Sequence, residues 1–74
     1  MESKHERFIR LGQARTNRII EQINLIGNLA NRGNYEYSDE EVNKMFKAIE
    51  DELKEVKNKF KKTKDREINS KFTF

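Results

Sequence analysis

Asn31-Arg32-Gly33-Asn34-Tyr35-Glu36-Tyr37-Ser38-Asp39-Glu40-Glu41 decides how the chain is organised. It joins the only dense cluster of turn-forming residues, 31–34, to a recognisable helix start. Ser38 and Glu41 have capping-box spacing, in which the hydroxyl accepts an amide hydrogen three residues on and the carboxylate reaches back to the cap amide. Tyr37 and Val42 stand where a hydrophobic staple belongs, and Asp39, Glu40 and Glu41 put negative charge at the positive end of the helix dipole. Gly33 is expected to close the preceding helix in the left-handed conformation that glycine takes without steric cost.

Working outward, apolar residues recur with helical period on both sides of this break. Phe8, Leu11, Ile19, Ile23, Ile26, Leu29 and Ala30 form a broad stripe in the first segment, widened by Ile9 and Ile20. Val42, Met45, Phe46, Ile49, Leu53, Val56 and Phe60 form a narrower one in the second. No proline interrupts either segment. The reading is an all-α, two-helix antiparallel hairpin over 1–60, with a helix over about 4–31, a turn over 32–38 and a helix over 39–60 or beyond. Residues 61–74 form a basic C-terminal extension. Folding about Tyr35 would set Ile26 near Met45, Ile19 near Ile49 and Leu53, and Phe8 near Phe60. Glu40/Lys44, Glu50/Lys54 and Glu55/Lys59 are expected i,i+4 ion pairs, each contributing about 0.3 kcal/mol on a wet face.

Two helices in 74 residues with 34% apolar content bury little by themselves. Ile9, Ile20 and Leu25 lie too far around the first helix for one opposing helix to cover. Completion of the core by dimerisation, or by docking on a larger partner, is therefore expected. With 39% charged residues and no apolar run near the roughly 18 needed for a span, a membrane span is not expected and a cytoplasmic location is. The absence of cysteine removes disulfides, thiolate catalysis and cysteine-based zinc sites.

Catalysis fails by elimination. His5, the one histidine, stands in a polar N-terminal stretch expected to fray and has no orienting partner. The carboxylates of the second helix interleave with lysines on its outer face, as a solvated surface does. No metal-ligand spacing and no glycine-rich phosphate loop occur, since Gly12, Gly27 and Gly33 are scattered. The chain is expected not to be an enzyme, with no cofactor, no metal and no small-molecule substrate.

Four groups of residues stand out as binding candidates. Arg7, Arg10, Arg15 and Arg18 can present guanidinium forks to successive phosphates or to a carboxylate-rich partner. Arg15 falls within the apolar stripe, and either pairs with Glu52 or Glu55 or lines a groove or an oligomer interface. Asn17, Asn24 and Asn28, continued by Asn31 and Asn34, form an amide row that weakens a helix unless it contacts something. Tyr35 and Tyr37 flank Glu36 beside Arg32, where an aromatic can stack or cap the core. Lys61, Lys62, Lys64, Arg66 and Lys71 with Phe72 and Phe74 combine cations with aromatics, as suits nucleic acid or another anionic surface. Net charge is +2 over 1–37 (6 basic, 4 acidic), −2 over 38–60 (5 and 7) and +3 over 61–74 (5 and 2).

Arg7-Phe8-Ile9-Arg10-Leu11, Leu25-Ile26-Gly27-Asn28-Leu29-Ala30-Asn31-Arg32 and Tyr35-Glu36-Tyr37 carry a resemblance. Over roughly residues 7–60 the chain resembles small helical-hairpin proteins of bacterial phages and conjugative elements, a group without an established activity. The resemblance brings no functional residues. It implies a setting in which short proteins handle DNA or inhibit host defence, anti-CRISPR proteins among them. The combined expectation is a non-enzymatic binding module engaging nucleic acid or a nucleic-acid-bound machine through Arg7, Arg10, Arg15, Arg18, Arg32 and the lysine-rich end. The alternative is a protein-directed inhibitor or assembly adaptor using the apolar and asparagine faces, with self-association or a protein partner.

Overall fold

The computed structural model describes the backbone of residues 1–71 and the side chains of residues 1–63. The protein is all-α: helix α1 spans Lys4–Gly27 and helix α2 spans Asp39–Lys71, with no strand among the described residues. At 1.5 Å per residue these helices are about 36 and 50 Å long. The chain divides into two units at Glu36 and Tyr37.

In the first unit, α1 opens on a complete capping box. The Ser3 hydroxyl accepts from the Glu6 amide at 3.0 Å, and the Ser3 amide donates to Glu6 Oε1 at 3.3 Å. Just before His5, in the stretch expected to fray, two amides that a helix start leaves without intrahelical partners are thus satisfied. At the other end Gly27 is still helical, the Asn28 amide donates back into the last turn, and the chain tightens into a single 3-10 turn over Asn28–Ala30. Asn31 then turns extended.

The connection also differs from the expected left-handed cap. No described residue, Gly33 included, has a positive φ. The turn is made instead by Asn31, whose side-chain Oδ1 accepts from the Gly33 amide at 2.9 Å. The Asn31 carbonyl accepts from the amides of Asn34 at 3.1 Å and Tyr35 at 3.0 Å. An Asx turn of this kind replaces the left-handed glycine because one asparagine supplies both acceptors.

In the second unit, α2 begins on the expected box. The Glu41 amide donates to the Ser38 hydroxyl at 3.1 Å, and the Ser38 amide donates to Glu41 Oε1 at 2.8 Å. Tyr37 and Val42 are both half-buried, as staple positions should be. Of the three expected i,i+4 pairs, Glu40–Lys44 comes to 4.0 Å, whereas Glu50/Lys54 and Glu55/Lys59 form no ion pair among the described residues. The close pair is Lys47–Asp51 at 2.9 Å. Side-chain entropy opposes holding long exposed chains together, so only some favourable spacings close. Thr63 donates its hydroxyl to the Lys59 carbonyl one turn back.

No residue among those described is buried. Val42, Met45 and Ile49 on α2, and Leu11 and Ile26 on α1, are half-buried. The other large apolar side chains of both stripes stand exposed.

Candidate binding surfaces

The basic candidates separate into those held by the chain itself and those open to solvent. Arg10 donates two parallel hydrogen bonds to Glu2, from Nε to Oε2 at 2.7 Å and from Nη2 to Oε1 at 3.1 Å. Arg7 Nε lies 3.7 Å from the same carboxylate. The Arg10 guanidinium holds the Glu2 carboxyl below the usual carboxylate range, and Arg10 is raised in return. Two of the four arginine forks are thus turned toward an internal acid. Sequence reasoning missed this because Glu2 precedes the helix and falls outside the helical i,i+4 spacing used to find pairs.

Arg15 and Arg18 are exposed and make no ion pair within residues 1–36. Because nothing around Arg15 is buried, the cost of a charge within the apolar stripe is not incurred in this unit. Arg32 is exposed at the turn and is engaged by an interaction of its own. Lys61 and Lys62 are exposed on α2. Lys64 and Arg66 lie on the α2 backbone with side chains outside the described residues, and Phe72 and Phe74 lie wholly outside them.

The amide candidates Asn17, Asn24 and Asn28 are exposed along α1, and Tyr35 is 48% exposed. An open depression on α1 is lined by His5, Glu6, Ile9, Arg10, Gln13, Ala14 and Asn17. All seven come from one helix, so it is a shallow surface rather than an enclosing site. Among the described residues no cluster of three or more His, Cys, Asp or Glu is placed to hold a metal ion. Among them, too, no helix is long and apolar enough to cross a membrane.

The chemistry on display is therefore apolar and amide contact along α1, with cations at intervals. Ile9, Ile20 and Leu25 are 50, 51 and 57% exposed, and Phe8 and Ile19 are exposed to the same degree. No protein-family model, curated protein or solved structure matches the chain.

Proposed function

We propose that the protein is a non-enzymatic binding module that engages a protein partner through the apolar faces of its helices. One observation carries this reading: both helices present stripes of exposed Phe, Ile and Leu, flanked on α1 by amides, and such surfaces are driven from water into protein interfaces. In the phage or conjugative-element setting implied by the resemblance, the module would act as an assembly adaptor or as an inhibitor of a larger machine. Affinity capture with the full chain, with and without nuclease, tests it. A nuclease-resistant protein, lost on changing Ile20 to Lys, is the expected result, and recovery that vanishes with nuclease would refute it.

Nucleic-acid engagement is the second reading, supported by the open forks of Arg15 and Arg18 and by the exposed Lys61 and Lys62. Phosphate-driven binding falls steeply as salt rises, whereas an apolar interface scarcely responds. Titration of labelled single- and double-stranded oligonucleotides at two salt concentrations separates the readings. Binding that survives neither nuclease nor salt supports the second.

A further inference from the structure

One face of α1 carries a pattern that fits itself. Viewed down the helix, Ile9, Gly12, Thr16, Ile20, Ile23 and Gly27 share one strip, which adjoins the line of Phe8, Leu11 and Ile26 along its Gly12 and Ile23 edge. The three isoleucines are about half exposed, and a methyl group placed on Gly12 or Gly27 would meet nothing within 4 Å. Glycine inside a helix costs stability relative to alanine, so two open glycines on an apolar strip leave gaps that the chain's own unit does not use.

We propose that this strip is covered by the same strip of a second copy, with the two α1 helices running antiparallel about a two-fold axis level with Arg18. The inference rests on the binding-module reading and names its partner. In that arrangement residues whose numbers sum to 36 lie level with one another. Ile9 meets Gly27 of the other copy, Ile20 meets Thr16, and Ile23 falls within one residue of Gly12. Each large side chain faces a small one, so knobs find holes all along the contact. A parallel pair would instead stack isoleucine on isoleucine and glycine on glycine, crowding one level and leaving voids at the next.

Charge agrees with a symmetric partner. In an isologous contact every surface group meets the same surface of the copy, so a charged strip would repel itself. From Gly12 to Gly27 this strip and its flank, Gln13, Asn17 and Asn24, hold no ionisable group. Gln13 also comes within one residue of Asn24 of the other copy, where two amides can exchange hydrogen bonds. The amide row, unfavourable in a lone helix, then has a partner.

Sedimentation of the full chain over a dilution series should show a monomer–dimer equilibrium. Ile20→Lys should raise the dimer dissociation constant roughly tenfold or more, because an ammonium would be desolvated without a counter-charge. Glu21→Gln, on the opposite side of α1, should leave it unchanged. Orientation is read from cysteine variants of this cysteine-free chain. Ile9→Cys mixed with Gly27→Cys should give disulfide dimers on oxidation, and Gly12→Cys alone should not, since the two Gly12 positions would lie about 18 Å apart. Efficient Gly12→Cys dimers would overturn the antiparallel pair, and a monomer at every concentration would overturn the second copy. Were the chain monomeric yet still able to capture a foreign protein through Ile20, the module reading would stand and only this inference would fall.

Discussion

Arg10 closes on Glu2 across eight residues, with both oxygens of the carboxylate engaged by one guanidinium. Because Glu2 sits just before the Ser3 cap, the pair ties the chain end to the second turn of α1 and occupies a fork that would otherwise face solvent or a phosphate. Glu2→Gln should release Arg10 and Arg7. Melting temperature should fall only slightly, since the pair is exposed, while oligonucleotide affinity at low salt should rise if those forks reach phosphates. Unchanged affinity would remove Arg7 and Arg10 from any nucleic-acid surface.

Acid should loosen both helix starts. Glu2 is held below the usual carboxylate range mainly by its bonds from Arg10, and Glu41 mainly by the Ser38 amide and then its hydroxyl. A carboxyl depressed in the folded state contributes stability that is complete above its unfolded value and is lost as pH falls through the folded one. Helicity by circular dichroism should therefore be level from neutrality down to the ordinary glutamate range and decline below it. Glu41→Gln should shrink that decline. Lys47 is raised by its hydrogen bond to Asp51, so its contribution has the opposite sign and fades as pH climbs beyond the usual lysine range.

Ser3→Ala and Ser38→Ala should each cost about 1 kcal/mol of helix stability, the usual value of an N-cap hydroxyl. The sites are far apart in sequence and share no partner, so the double variant should lose close to the sum. Thermal melts followed by circular dichroism, alone and in mild denaturant, check both figures.

Gly12→Ala should stabilise an isolated α1 by up to about 1 kcal/mol, since the added methyl meets nothing and backbone freedom in the unfolded chain falls. The same change should weaken the proposed dimer, because the Ile23 of the other copy loses its hole. A rise in melting temperature at high dilution together with weaker association in sedimentation is the expected signature.

Gly33→Ala distinguishes the two ways of building the connection. With no positive φ, alanine avoids the roughly 1–2 kcal/mol charged for a left-handed residue. Its Cβ need only displace Asn31 Oδ1, which would lie 3.1 Å away. Asn31→Ala removes that acceptor outright and should therefore be the more damaging of the two by thermal denaturation.

Local order was legible in the residues wherever one strong rule acted over three or four positions. Ser38 and Glu41 announced the start of α2, and the periodic Val42, Met45 and Ile49 named its half-buried side, because capping and helical period are fixed by backbone geometry alone. Ser3 and Glu6 carried the same spacing in plain view, and their polar surroundings hid it. Folding in three dimensions decided matters where several side chains competed for one group. Asn31 took the turn from Gly33, Glu2 took Arg10 and Arg7, and Lys47 found Asp51 while Lys54 and Lys59 found no ion-pair partner among the described residues. Those choices separate arrangements of nearly equal energy, and pattern alone ranks them poorly because each depends on where a flexible side chain ends in space.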